Sequence, residues 1–245
     1  MAAQEPGPHI PPDFVEKYNK PGPRYTSYPT VPAWDQVFGQ DEYRQALMDL
    51  AGRPGDELAI YLHLPFCAKH CHYCGCNALV TKEQGAVDAY LDRIERELAM
   101  VTAIIGTGRK VVQLHWGGGT PNYLKNAQVE RALDLMRSAF TLSPHAEVSL
   151  EIDPRIGSPE QALFLREAGF NRISLGVQDF EDRVQEAIGR RQSRSKTLRV
   201  YQGCREAGFA GVNIDLVYGL PGQTQESFAA TLREIRFVTP GSADE

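Results

Sequence analysis

Four of the five cysteines in the sequence lie within ten residues, in the run Cys67-Ala-Lys-His-Cys71-His-Tyr-Cys74-Gly-Cys76. Thiols this dense are not explained as small core hydrophobes, so the run reads as a metal or cluster site. Tetrahedral zinc is the simplest occupant, since four thiolates can close a structural site. Zinc ribbons, however, separate two Cys-x-x-Cys knuckles by a spacer, and the pair Cys74 and Cys76 is awkward for two ligands on one tetrahedron. An iron–sulfur cluster fits the spacing better: Cys67, Cys71 and Cys74 could hold three irons of a [4Fe–4S] cluster and leave the fourth open to a small molecule. A disulfide framework is not expected, because the chain is far larger than a disulfide scaffold and opens without the basic start and apolar core of a secretory signal. His70 and His72 read as solvent-facing loop residues, because the cysteines already suffice.

Other residues could do chemistry only if the fold brings them to that loop. Gly117-Gly-Gly119-Thr120-Pro121 removes three side chains where a strand ends, so backbone groups can approach a ligand closely, although a plain turn has the same composition. Glu151-Ile-Asp153-Pro-Arg155 places two carboxylates at adjacent same-face positions of a strand end, a pattern open to acid–base work or recognition. Arg24, in the proline-rich and aromatic stretch Gly22–Pro32, is a candidate partner for a substrate carboxylate, because its planar fork suits bidentate recognition.

Positioning these groups falls to a regular alternation. Strands are expected at Ala59–Leu64, Val111–His115, Glu147–Ile152, Arg172–Val177 and Val212–Val217, rich in Val, Ile and Leu as buried parallel strands are. Helical stripes lie between them: Val87, Tyr90, Leu91, Ile94, Leu98 and Val101, then Val129, Leu133, Met136 and Phe140. The repeats Arg166-Glu-Ala-Gly-Phe170 and Arg205-Glu-Ala-Gly-Phe209 each read as a helix closed by glycine and leading into a strand. Repeated βα units mean a doubly wound sheet or a barrel. The unusual residues follow or end their strands in every unit, which favours the barrel. The expected architecture is therefore α/β, a partial (β/α) TIM-like barrel of about five βα units. Residues 1–52 read as an N-terminal arm and helix, 53–237 as the partial barrel and 238–245 as a tail.

The whole chain bounds the possibilities. Its 42% hydrophobic and 23% charged content is that of an ordinary globular protein, and a net charge of −5 argues against nucleic-acid binding. No stretch reads as a membrane span, and free thiols suit the cytoplasm. Cys204, on an expected helix, reads as a buried small hydrophobe.

Cys-x3-Cys-x2-Cys after a strand resembles the signature of radical S-adenosylmethionine (SAM) enzymes. The further cysteine, Arg24-Tyr-Thr-Ser-Tyr-Pro upstream and His115-Trp-Gly-Gly-Gly-Thr-Pro121 downstream make the chain similar to oxygen-independent coproporphyrinogen III oxidases from about Arg24 to about Ile235. The resemblance implies a [4Fe–4S] cluster on Cys67, Cys71 and Cys74, and two SAM molecules. It assigns Tyr61, Tyr73, Gly118, Gly119, Thr120 and Glu151 to the first, and Gln178, Arg190 and Asp215 to the second, with Cys76 beside it as a candidate catalytic residue. Without the resemblance, Arg190 reads as a surface residue and Asp215 as a strand polar group needing a partner. The reaction implied is loss of CO2 from propionate side chains of coproporphyrinogen III, started by a 5′-deoxyadenosyl radical, with an unidentified electron donor and acceptor. A full-length relative would continue into a sixth strand and a helical domain over the substrate. Three readings follow: a shortened dehydrogenase, a haem-handling relative, in which Phe is typical where this chain has Cys76, or a non-enzymatic fragment with a structural metal.

Overall fold

The computed structural model describes residues 10–20, 30, 33–34 and 38–238. Arg24, nearly all of its arm and all of the expected 238–245 tail except Val238 fall outside the described residues. The chain divides into two compact units after Ala46, where the sequence reading places the boundary after residue 52. In the first unit, α1 (Pro12–Tyr18) starts on a proline, whose fixed φ suits a first helical turn, and its Phe14 and Tyr18 rings lie 4.6 Å apart. Helix α2 (Gln40–Ala51) spans the boundary.

The second unit is built on β1 (Leu58–Leu64), β4 (Arg109–Gly118), β5 (Phe140–Ile152), β6 (Arg172–Gln178) and β7 (Gly211–Leu216). Between β1 and β4 come the two-residue strands β2 (Phe66–Cys67) and β3 (Leu79–Val80), which pair with each other. The main sheet runs β1-β4-β5-β6-β7 and every pairing is parallel. Strand order never reverses, so right-handed crossovers carry the connecting helices to one side, as in a barrel wall. Those crossovers use α3 (Gln84–Ile105), α4 (Asn126–Ala139), α5 (Pro159–Ala168), and, between β6 and β7, the short α6 (Asp182–Ala187) with α7 (Arg194–Glu206); α8 (Gln225–Val238) follows β7.

Register sorts the side chains into two kinds of row. Leu62, Trp116, Leu150, Ile173 and Val212 stand side by side across the sheet. This row faces the helices, and the Trp116 ring meets Phe170 edge-on at 5.0 Å. One residue back, Tyr61, His115, Ser149, Arg172 and Gly211 form the neighbouring row on the other face. Burial of these Val-, Ile- and Leu-rich strands is thus one-sided: the apolar row is packed under the helices and the second face is polar.

Two further differences have local causes. Phe140, read as the end of a helical stripe, opens β5 with extended angles, because it pairs with Arg109. β5 begins seven residues before the expected Glu147, and the register shift between Val111 and Gln113 absorbs Pro144, which has no N–H for the ladder. The repeated glycines behave as expected: Gly169 and Gly208 have φ of 114° and 82°, conformations that cost an L side chain. Ser158 and Ser193 cap α5 and α7 by accepting hydrogen bonds from the N–H groups of Gln161 and Lys196. Among the described residues no helix is long and apolar enough to cross a membrane.

Helices α5 and α7 touch where Gly203 faces Pro159, and a Cβ at Gly203 would lie 2.7 Å from the Pro159 Cα. Alanine there gains about 1 kcal/mol of helix propensity but must force the helices apart at roughly 1–3 kcal/mol. Gly203→Ala is therefore expected to lower stability in urea unfolding despite the propensity gain.

Candidate cluster and cofactor site

The cysteine run begins on β2 and ends before β3, so this small ladder pins both ends of the loop. Its base is locked further: Pro65 O accepts from Leu79 N at 2.6 Å, and Leu64 O from Gly119 N at 2.9 Å. A Cβ on Gly119 would sit 2.7 Å from the Pro65 carbonyl, so only glycine lets the β4 end lie against the loop. Cys67 and Cys71 are buried, Cys74 is half-buried and Cys76 is exposed. Thr120 Oγ1 reaches Cys67 Sγ at 3.4 Å, and burial pushes the Cys67 thiol up from its ordinary value. Burial, then the neighbouring Cys74, raises Cys76 to about 11.

His72 is exposed on the loop, as expected, yet it anchors that loop. Its backbone N–H donates to Ile188 O at 2.9 Å, and its ring Nδ1 lies 3.1 Å from Ala187 O. The ring fills the space a side chain at Gly189 would need, 2.8 Å from that position. Tyr73 packs against the small cluster of Val184, Ile188 and Leu220, and burial pushes its hydroxyl up to about 12.

Behind Cys71 lies a buried ion triplet. Arg155 grips Asp153 with Nε at 2.9 Å and Nη2 at 2.6 Å, and the same Nη2 is 3.6 Å from Cys71 Sγ. Arg190 approaches from the far side, with Nη1 3.5 Å from Cys71 Sγ and 3.3 Å from Asp153, and Nη2 donating to Gly176 O at 2.7 Å. Arg190 is 7% exposed, which corrects its reading as a surface residue. Burial opposes the Arg155 charge, but the Asp153 hydrogen bonds outweigh it and hold the guanidinium pKa above its usual value.

Glu151 and Asp153, at same-face positions of the expected strand end, part company in the structure. β5 ends at Ile152, so Asp153 leaves the sheet and is buried, whereas Glu151 stays on the polar face. There His115 links Ser149 Oγ at 2.8 Å and Glu151 Oε1 at 3.4 Å, and its ring stacks with Tyr61 at 5.9 Å. A Cβ at Gly117 would meet both Tyr61 and Glu151 within 3.1 Å, so these three positions converge.

A second group forms two strands away. A Cβ at Gly176 would meet Gln178 Nε2 at 2.8 Å and Arg190 Nη2 at 3.1 Å, and Gly176 pairs with Asp215. Ser174 Oγ donates to Asp215 at 2.7 Å; loss of water around Asp215 nonetheless raises its carboxyl above the ordinary range. Gln178 has φ of 70°, which no other non-glycine among the described residues shares in sign. The next residue, fully buried Asp179, accepts from Thr231 Oγ1 at 2.7 Å, Glu181 N at 2.8 Å and Gln223 Nε2 at 2.5 Å. Those bonds fix the turn and force the strained residue before it.

Sequence reading used His115 only within the motif that carries the resemblance, gave it no role at the site, and did not single out Gly176 or Asp179. His115 could have been found from alternation, being two residues before Gly117; the other two depend on register and on α8. Gln178→Gly is expected to keep wild-type stability within about 1 kcal/mol, while Gln178→Val loses roughly 1–3 kcal/mol in urea unfolding, because a β-branched side chain is strained at positive φ.

The family described as the radical SAM superfamily matches residues 61–235. The oxygen-independent coproporphyrinogen III oxidase of Escherichia coli is 46% identical over 227 residues, 93% of this chain and 49% of that protein. The oxidase of Synechocystis is 41% identical over 228 residues, again 93% and 49%. The solved structure of coproporphyrinogen III oxidase from E. coli, described as a radical SAM enzyme, superposes with a TM-score of 0.82 at 44% identity, over 92% of this chain and 50% of that one. The chain spans about half the length of the curated relatives it matches. With the family covering most of its length and the cysteine loop set on a parallel barrel wall, the chain belongs to the radical SAM superfamily.

Proposed function

We propose that Cys67, Cys71 and Cys74 hold a [4Fe–4S] cluster and that the chain carries out oxygen-independent oxidative decarboxylation of coproporphyrinogen III. The donor set fits that group. Two guanidiniums and a hydroxyl point at the sulfurs of Cys71 and Cys67, and Arg190 Nε is buried with no partner among the described residues. When bound, the reduced cluster and SAM supply one-electron cleavage of the sulfonium and hence a hydrogen-atom abstractor.

The chain's own residues bind and orient. Tyr61, Gly118, Gly119, Thr120 and Glu151, with Tyr73 on the loop, form the first SAM site in this reading. Glu151 is exposed and reached on one oxygen by His115 Nε2 at 3.4 Å, so its carboxylate oxygens can accept hydrogen bonds from ligand hydroxyls. Gln178, Arg190 and Asp215 form the second, with Cys76 exposed beside the loop. The observation that carries the reading is the presence of these two polar groups on one parallel sheet whose C-terminal edge also carries the thiol loop. Substrate propionates would approach from that edge, and a low-potential donor and an acceptor in the cytoplasm would supply and remove electrons. Residues 1–52 would act as arm and helix and 53–237 as the barrel.

The test is anaerobic: reconstitute with iron and sulfide, add dithionite, SAM and coproporphyrinogen III, and quantify 5′-deoxyadenosine and vinyl product by mass spectrometry. Both products are expected. Deoxyadenosine alone would contradict the substrate assignment, and neither product from a fully loaded protein would contradict the activity. Glu151→Ala is expected to weaken SAM binding about tenfold to a hundredfold, the ~1.5–3 kcal/mol of hydrogen bonds to a charged group.

A further inference from the structure

The ion triplet behind Cys71 holds more positive charge than its own pairing needs. Asp153 accepts four hydrogen bonds from Arg155: the backbone N–H at 2.9 Å and Nε at 3.1 Å on Oδ1, and Nε at 2.9 Å and Nη2 at 2.6 Å on Oδ2. That pair alone would satisfy the carboxylate, yet Arg190 adds a second guanidinium at 3.3 Å. Both cations then place an N–H within 3.6 Å of one sulfur, in a pocket where Arg155 and Arg190 side chains are 17% and 9% exposed. Fixed donors in a poorly solvated pocket act strongly on a nearby charge.

We infer that Arg155, together with Arg190, sets the reduction potential of the cluster by donating hydrogen bonds to the sulfur of Cys71. The inference rests on the reading that Cys71 is a cluster ligand. An electron arriving from an external one-electron reductant increases negative charge on the ligand sulfurs, and no proton moves. Donors to that sulfur stabilise the reduced form and raise the potential. Asp153 orients both forks and keeps their net charge at +1, so it is a positioning residue. Arg155 is the informative member, because Arg190 also belongs to the proposed second SAM group.

The test uses the reconstituted full chain and EPR-monitored redox titration. Iron and sulfide analysis comes first: a wild-type protein that takes up no four-iron cluster overturns the cluster reading and this inference with it. Arg155→Met keeps the side-chain stem and removes the N–H groups. It is expected to take up the same iron and sulfide, with its reduced-to-oxidised ratio at a fixed poise falling about tenfold, ~59 mV for one electron. Arg155→Lys is expected to recover part of the loss. An unchanged potential in fully loaded Arg155→Met would overturn the proposal, since a merely structural arginine leaves the potential where it was. Should Arg155→Met fail to take up a cluster, the reduced wild-type protein labelled with 15N-arginine decides. Pulsed EPR is expected to show coupling from guanidinium nitrogen, and its absence would overturn the inference.

Discussion

Leu62, Trp116, Leu150, Ile173 and Val212 hold five strands in one parallel register by burying a continuous apolar row beneath the helices. Everything at the candidate site depends on that constraint. Because side chains alternate along a strand, locking this row fixes the neighbouring row of Tyr61, His115, Ser149 and Arg172 on the opposite face. Because the strands are parallel, their C-terminal ends also share one edge, and the cysteine loop, Gly117–Thr120, Asp153 and Gln178 all lie there. A slip of one residue would turn the polar row into the core.

At that edge, precision comes from buried carboxylates rather than from regular structure. Asp153 holds two arginines behind Cys71, and Asp179 ties the end of β6 to Gln223 and to Thr231 of α8. Charges so far from water are costly unless fully paired, and pairing to several elements at once makes each carboxylate a geometric lock. Glycine does the complementary work. Gly119 admits the loop base and Gly189 admits the His72 ring, so the thiol loop is gripped from β4 on one side and from the end of α6 on the other.

Much of this was legible in the residues. The five main strands, the helical stripes and both glycine caps follow from periodicity and punctuation, and the four clustered thiols announce themselves by density. What periodicity could not carry was anything set by pairing partners. Two-residue strands such as β2 and β3 have no period to detect. Phe140 has the right spacing for a helix, but its pairing with Arg109 makes it a strand residue. Arg190 has the polarity of a surface residue, and only the fold reveals Cys71, Asp153 and Gly176 around it. Glu151 and Asp153 share a parity that the strand's end at Ile152 dissolves.

The central claim is that three thiols of the loop, and not the fourth, bear the cluster. Mössbauer spectroscopy of anaerobically reconstituted Cys74→Ala and Cys76→Ala measures it directly. The account requires Cys76→Ala to show a four-iron cluster indistinguishable from the unsubstituted protein, and Cys74→Ala to lose it. A cluster that survives without Cys74 but fails without Cys76 would contradict the assignment.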